Sequence, residues 1–140
     1  MIAAGCASSG SQSGQPEPEL QLTQRSNLAD AARNVTGGIG VQYRLTIHNT
    51  TKTPLQLKHV DLQSLGAGAY TLPSTSQAFD RTIGAGETEA IDLRAAAYIA
   101  DPTIAGANGP VTIRVIAQFE SSAGRMQIVV VQQVHAGGSV

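Results

Sequence analysis

The stretch Val41-Gln42-Tyr43-Arg44-Leu45-Thr46-Ile47-His48 gives the clearest indication of the fold class, because apolar and polar residues alternate through all eight positions. In an extended chain every second side chain lies on the same face, so the four apolar residues would share one face. This period of two predicts a β-strand with one buried face. Turn-forming residues follow in Asn49-Thr50-Thr51-Lys52-Thr53-Pro54, and a new apolar run starts at Leu55, so we expect a hairpin.

The segments after this hairpin show the same alternation. Leu55-Gln56-Leu57 starts a strand, but Val60 and Leu62 have the opposite parity, which predicts a β-bulge near Lys58 and His59. Residues 111–120 alternate, residues 121–124 have turn chemistry and residues 126–134 run back, which predicts a C-terminal hairpin. The parity is lost within the second strand of this hairpin, so we expect that strand to be central or covered on both faces.

Weaker signals complete the pattern. Short strands are predicted at residues 19–24, 70–72, 77–83 and 88–95. Residues 26–33 fit a single helical turn and a strand edge equally well. Residues 95–109 form a long connection of the kind that crosses between two sheets. About seven or eight short strands with turns roughly every 8–12 residues predict an all-β fold, an antiparallel β-sandwich over residues 19–135, followed by a flexible tail at 136–140.

This strand spacing resembles the immunoglobulin-like and fibronectin-type domains of exported bacterial proteins. The resemblance is one of pattern and implies an immunoglobulin-like antiparallel β-sandwich without the tryptophan or disulfide of antibody domains, since the chain has no Trp and a single Cys. A single domain is expected, because about 120 residues remain beyond the N-terminal segment.

The only cysteine, Cys6, follows the small residues Ala3-Ala4-Gly5 and precedes a Ser/Gly/Gln/Pro-rich stretch that ends at Pro18. A segment of that composition does not bury enough apolar surface to fold, so it predicts a flexible tether. The arrangement resembles the lipobox of a bacterial lipoprotein. Because only five residues precede Cys6, we interpret residues 1–18 as the remainder of a truncated signal followed by the tether.

The lipoprotein resemblance implies a location. Cys6 would become the N-terminal residue and carry a thioether-linked diacylglycerol and an amide-linked acyl chain, which together anchor stably to a membrane. Ala7, rather than Asp, after the cysteine implies export to the outer membrane of a Gram-negative cell, with the domain facing the periplasm. The alternative is that Cys6 is an unmodified thiol near the terminus.

Composition argues against several classes of function. The formal net charge is −1, and the nine Lys and Arg residues stand singly along the sequence, so no basic stripe for nucleic acid is predicted. No apolar run approaches the roughly 18 residues of a transmembrane helix, and any membrane link therefore depends on Cys6. Aromatic residues make up 4% of the chain. Tyr43 should point inward, which leaves Tyr70 and Tyr98 as the only candidate exposed pair, with core or loop positions favoured for both.

No motif favours catalysis, a cofactor or a metal. The three histidines lack the HxH or HxxxH spacing of a local zinc site. His59 and Asp61 are the only His/carboxylate pair two residues apart, which on a strand share one face, and a surface pair is favoured over a functional one. Glu87 and Glu89 could act as an acid/base pair, but their position after the turn Gly84-Ala85-Gly86 favours a solvated, outward-facing strand edge.

These observations lead us to expect a lipid-anchored, non-enzymatic β-sandwich module of the bacterial cell envelope. It would contact an envelope protein partner through sheet edges and through the loops at residues 66–68 and 101–109. One alternative is a periplasmic carrier that binds a small ligand between its sheets. A further alternative is a hydrolase that uses His59 and Asp61.

Overall fold

The computed structural model describes residues 17–25, 38–66, 68–99, 109–135 and 138–139. In these parts of the chain the regular elements are nine β-strands: β1 (Glu19–Gln24), β2 (Gly38–His48), β3 (Leu55–Leu65), β4 (Tyr70–Thr71), β5 (Thr75–Ile83), β6 (Thr88–Ile99), β7 (Val111–Ser121), β8 (Gly124–His135) and β9 (Gly138–Ser139). Sheet A has the order β1-β2-β6-β4, and sheet B has the order β5-β3-β7-β8-β9. Every pairing is antiparallel, so the predicted all-β, antiparallel class is confirmed.

Strand β2 is the alternating stretch that the sequence predicts. Its four apolar residues are buried, and the residues between them are exposed or partly exposed. The strand lies between β1 and β6, with Tyr43 opposite Gln24 on one side and Leu93 on the other. Because both edges of residues 43–48 are paired, the backbone hydrogen bonds of this part of β2 are satisfied within sheet A.

The hairpin predicted between β2 and β3 is wrong, because the two strands belong to different sheets. The turn after β2 crosses from sheet A to sheet B, and the turn between β5 and β6 crosses back. Asn49 joins these two turns: its Nδ2 donates to the carbonyl oxygens of Ile83 at 2.9 Å and Gly84 at 3.2 Å. In its own turn Nδ2 also donates to the carbonyl of Thr53 at 3.0 Å, and Oδ1 accepts from the Thr51 amide at 2.9 Å.

The bulge predicted near Lys58 and His59 is confirmed. The pairing of β3 shifts between Leu57 and His59 on both sides of the strand. Against β7, Lys58 is an extra residue of β3, whereas against β5 the two residues Phe79 and Asp80 lie opposite Lys58. Leu57 and Val60 are buried, whereas Lys58 and His59 between them are partly exposed. The extra residue therefore restores the inward parity of the second half of the strand.

The C-terminal hairpin is confirmed, since β7 and β8 pair from Val111↔Val134 to Ser121↔Gly124. The prediction that its second strand is central or covered on both faces is wrong. The neighbours of β8 are β7 and the two-residue β9, and Val131 is 55% exposed. The valines that blur the alternation favour an extended backbone on a solvated face as well as in a core. Strand β9 falls in the segment predicted as a tail and pairs with the end of β8.

The long connection after β6 crosses between the sheets as predicted, because β6 lies in sheet A and β7 in sheet B. Strand β6 continues to Ile99, beyond the predicted end at Ala95. Ala97 is buried in the core, and Tyr98 pairs with Thr71 of β4, which extends the ladder. The predicted helical turn or strand edge at residues 26–33 lies outside the described residues.

Both sheets direct apolar side chains into one core, whose largest buried members include Tyr43, Tyr70 and Phe119. The two tyrosines carry the polar groups of this core: Tyr70 Oη donates to Gln24 Oε1 at 2.7 Å, and the hydroxyls of Tyr43 and Tyr70 lie 2.7 Å apart. Burial, together with the charge and hydrogen bond of Tyr70, raises the pKa of Tyr43 well above its usual value. Burial raises the pKa of Tyr70 to about 12, and its hydrogen bond with Tyr43 offsets part of the rise.

Side chains close the two seams between the sheets. At one seam, Gln132 of β8 accepts a hydrogen bond from the Leu22 amide at 3.0 Å and donates to the Leu22 carbonyl at 2.6 Å, as a neighbouring strand would. At the other seam, Gln77 of β5 accepts from the Arg94 amide of β6 at 3.2 Å. These contacts occupy groups that an unpaired strand edge would otherwise offer to another chain.

Candidate functional site

Strand β1 starts at a defined end of the molecule, which we call the proximal end. Glu19 pairs with His48, and Thr50 Oγ1 donates to the Glu17 carbonyl at 2.5 Å, so the chain enters beside the turn that follows β2. The β7–β8 turn lies at the same end, because Glu120 pairs with Gln56 near the start of β3. Cys6 lies outside the described residues.

At the opposite end, which we call the distal end, the residues that flank the two predicted contact loops lie next to each other. Gly66 follows the last residue of β3, and the Ala69 amide donates to the Pro110 carbonyl at 3.3 Å. A side chain on Gly68 would place its Cβ 3.2 Å from the same carbonyl oxygen. Residues 101–108 of the second loop lie outside the described residues. Strand β3 has 11 residues, which separates the distal from the proximal end by about 33 Å.

His59 and Asp61 meet on the outer face of sheet B. His59 Nε2 lies 3.3 Å from Asp61 Oδ1, and Ser76 Oγ donates to the same carboxylate oxygen. On the neighbouring strand, Arg114 Nη2 donates to Gln63 Oε1 at 2.6 Å, and its buried Nε has no hydrogen-bond partner within the described structure. Asp61, Ser76, Gln63 and Arg114 line an open hollow of about 130 Å³.

The order of groups in this cluster differs from that of a hydrolytic triad. In a triad the histidine stands between the hydroxyl and the carboxylate and removes the proton of the hydroxyl. Here the carboxylate of Asp61 stands in the middle, and the hydroxyl of Ser76 bonds to it rather than to His59. The sequence therefore predicted the contact between His59 and Asp61, and the structure adds a serine whose hydroxyl donates to the carboxylate of Asp61.

The two glutamates have different structural roles. Glu87 Oε1 accepts a hydrogen bond from the Gly84 amide at 2.9 Å and so closes the turn before β6. Glu89 has the inward parity of Ile91 and Leu93 and forms an ion pair with Arg81 of β5, across the seam between the sheets. The prediction that Glu89 alternates outward is therefore wrong, because the β5–β6 seam gives this inward position access to solvent and to an arginine.

The other residues that the sequence offers as site candidates lie apart from one another. His48 Nδ1 lies 2.8 Å from the Thr88 hydroxyl on sheet A, and Tyr70 belongs to the core while Tyr98 is 48% exposed. Within the described residues, no group of three or more His, Cys, Asp or Glu side chains has metal-binding geometry. Among the same residues, no helix is long and apolar enough to cross a membrane.

Sheet register creates a cluster that the linear sequence does not show. Arg25, Gln42 and Arg94 lie in one row across β1, β2 and β6, because the Arg25 amide bonds to the Gln42 carbonyl at 2.7 Å and Gln42 pairs with Arg94. In the next row Arg44 pairs with Asp92. These side chains line an open hollow of about 210 Å³ on the outer face of sheet A. Arg25, Arg44 and Arg94 are separated by about 20 to 70 positions in the sequence, so only a correct strand order would have revealed that they form a cluster.

Comparison with known proteins gives fold similarity. No family model matches this chain, and no curated protein matches it. Among solved structures, it is similar to the Northeast Structural Genomics Consortium target SoR45, with a TM-score of 0.59 and 10% sequence identity over 91% of each chain. It is also similar to a protein from Archaeoglobus fulgidus, with a TM-score of 0.52 and 7% identity over 82% of this chain and 91% of that chain. At such low identity the similarity shows a shared fold alone.

Proposed function

We propose that this protein is a lipid-anchored, non-enzymatic binding module of the bacterial cell envelope. In this proposal Cys6 attaches it to the outer membrane, the domain faces the periplasm, and the distal end contacts an envelope protein. The observation that carries the proposal is the placement of the two ends. The residues that flank both predicted contact loops adjoin at the end opposite to the start of β1.

This placement suits a tethered module. Glu17 is eleven positions after Cys6, and an extended chain of that length reaches at most about 40 Å. The domain adds about 33 Å between its proximal and distal ends. Anchored in this way, the residues that flank the two predicted contact loops would stand clear of the lipid headgroups, where a protein partner can reach this end of the domain.

We further propose that the two sheets form an immunoglobulin-like β-sandwich of the fibronectin type. If letters are given by position, sheet A has the order A-B-E-D and the four long strands of sheet B have the order C′-C-F-G, the neighbours found in immunoglobulin-like sheets. One difference is that the strand in the D position, β4, precedes the strand in the C′ position, β5. Strand β4 has only two residues, so the long strands carry the comparison.

The packing supports a binding surface over a carrier of small ligands. Tyr43, Tyr70 and Phe119 fill the space between the sheets and are at most 1% exposed. The described hollows are open to solvent and are lined mostly by polar and charged residues. The hydrolase alternative has less support, because Asp61 stands between Ser76 and His59.

The anchor is tested by expressing the chain in a bacterium behind a complete lipoprotein signal and comparing it with Cys6→Ser. We expect the wild type alone to gain the mass of a diacylglycerol and to sediment with outer membranes. If both proteins are unmodified and soluble, the envelope location is refuted.

The binding end is tested in the same cells with a photo-crosslinking residue at one of two exposed positions, Ser74 near the distal end or Lys52 at the proximal end. We expect a discrete adduct with an envelope protein from position 74 and none from position 52. Equal adducts from both positions, or an adduct from position 52 alone, would contradict a distal binding surface even if the anchor were established.

A further inference from the structure

We propose that Arg25, Arg44 and Arg94 form a binding site for a phosphate group on the outer face of sheet A. The inference concerns a different surface from the distal loops and does not depend on the lipid anchor. The proposed ligand is a phosphate group carried either by a lipid headgroup or by a soluble phosphate ester. Both present the same phosphate oxygens to the arginines.

The strand register brings the three arginines together. Arg25 and Arg94 lie on either side of Gln42 in one row, and Arg44 lies in the next row along β2. Diagonal neighbours on one face of a sheet are about 7–8 Å apart at Cα, a distance that arginine side chains span. All three arginines line one open hollow of about 210 Å³, and Asp92 lines the same hollow.

The charge of this hollow is unbalanced within the described structure. Asp92 forms an ion pair with Arg44, through Nε at 3.2 Å. No carboxylate of the described residues pairs with the side chain of Arg25 or Arg94, and both residues are exposed. Three positive groups and one negative group leave a net charge of +2, which attracts an anion of matching charge.

The geometry of the groups favours a phosphate. Asp92 contacts Arg44 through Nε, and the hydrogen bond to this carboxylate does not use the terminal Nη atoms of Arg44. A guanidinium presents parallel N–H donors that match two oxygens of a phosphate, and three of them can engage one tetrahedral anion from different directions. Arg114 on sheet B is less suited to bind an anion, because it already donates to Gln63 and lines the same hollow as the carboxylate of Asp61.

The test uses the unlipidated 140-residue chain with Cys6→Ser, so that no anchor contributes. Amide NMR shifts are followed while inorganic phosphate, and separately glycerol phosphate, replaces chloride at constant ionic strength. Arg25→Gln, Arg94→Gln and the double variant are compared with wild type. Arg125→Gln is the matched control, because that arginine lies on β8 of sheet B and its side chain is 89% exposed. A third arm measures sedimentation with vesicles of phosphatidylglycerol or of phosphatidylcholine.

We expect saturable shifts centred on Gln42 and Leu93. Each substitution should weaken binding about fivefold and the double variant about 25-fold, from about 1 kcal/mol per basic residue near an anionic group. Arg125→Gln should bind as wild type does. Arginine-dependent sedimentation with phosphatidylglycerol would assign the phosphate to a lipid, and binding of the soluble anions alone would assign it to a soluble ester.

Other outcomes overturn the proposal. Shifts that do not saturate, or that spread over both sheets, would show only general ionic effects. The same holds if Arg25→Gln and Arg94→Gln bind as wild type does, or if Arg125→Gln weakens binding equally. Thermal unfolding of each variant shows that the fold is retained, which we expect because the substituted side chains are exposed.

Discussion

Replacing Asn49 by alanine tests whether one buried amide holds the two crossing turns together. Asn49 is fully buried, and its side chain bonds to the turn after β2 and to the turn between β5 and β6. The backbone bonds of Asn49 with Glu87 and Gly86 remain possible in the variant, so the change isolates the side chain.

The expected loss follows from the groups left without partners. Alanine strands the carbonyl of Ile83, which accepts in a buried position at 2.9 Å, and it removes the acceptor of the Thr51 amide, a partly buried hydrogen bond of 2.9 Å. The carbonyls of Thr53 and Gly84 lie nearer the surface and can regain water. The stranded Ile83 carbonyl and the lost Thr51 hydrogen bond at about 1.5 kcal/mol each give about 3 kcal/mol of lost stability, or about 12 °C in Tm for a domain of this size.

The assay is urea and thermal unfolding followed by far-UV circular dichroism at pH 7, with the exposed amide variant Gln127→Ala as the control. Asn49→Asp keeps the shape but turns a carboxylate oxygen toward the three carbonyls that now accept from Nδ2. It should be less stable than Asn49→Ala at pH 7 and should recover as the pH falls toward 4, where protonation restores a donor. If Asn49→Ala costs no more than Gln127→Ala, the reasoning about this amide is refuted.

Three further predictions concern the seam, the core and the bulge. Gln132→Ala should lower the free energy of unfolding by about 1–2 kcal/mol. It should also speed hydrogen exchange of the Leu22 amide, because that amide donates to Gln132 Oε1 at 3.0 Å. If the Leu22 amide exchanges no faster than in the exposed control variant Gln133→Ala, the bridging role of Gln132 is contradicted. Stability should be fully present below pH 10 and fall toward pH 12, because unfolded tyrosines ionise near pH 10 while Tyr70, with its pKa raised to about 12, does not. The urea concentration at the unfolding midpoint should then fall less steeply between pH 9 and pH 12 in Tyr70→Phe than in wild type. An equal dependence on pH in both proteins would count against the buried tyrosine pair. Deleting Lys58 should leave a folded protein, because β7 has no residue that pairs with it, whereas deleting the buried Val60 should unfold the protein. Circular dichroism that is the same for both deletions would refute the assigned bulge.

Local sequence patterns predicted the strands well, because the alternation that marks a strand is a property of neighbouring residues. The alternation at residues 41–48 and the parity change around Lys58 correspond to β2 and to the bulge of β3. The pairing of strands was less predictable. A turn such as 49–54 is compatible with a hairpin or with a crossing between sheets, and the choice depends on Asn49 contacting residues 83 and 84, which no local pattern encodes.

The same limit applies to candidate sites. The contact of His59 with Asp61 was predictable because residues two apart share a face of a strand. The contact of Glu89 with Arg81 and the cluster of Arg25, Arg44 and Arg94 were not, because they follow from which strands become neighbours. Solvent exposure of Val131 was also unpredictable from residue type, since valine suits a strand on either face.

The direction of β1 determines how the domain would transmit a pulling force. In the proposed arrangement the tether applies force at Glu19 while a partner binds the opposite end. The force is therefore directed along the strands. All the hydrogen bonds between β1 and β2, together with the two from Gln132 to Leu22, would then be loaded at once in shear. Had the chain entered β1 from the other end, the same bonds would open one after another like a zipper, at much lower force.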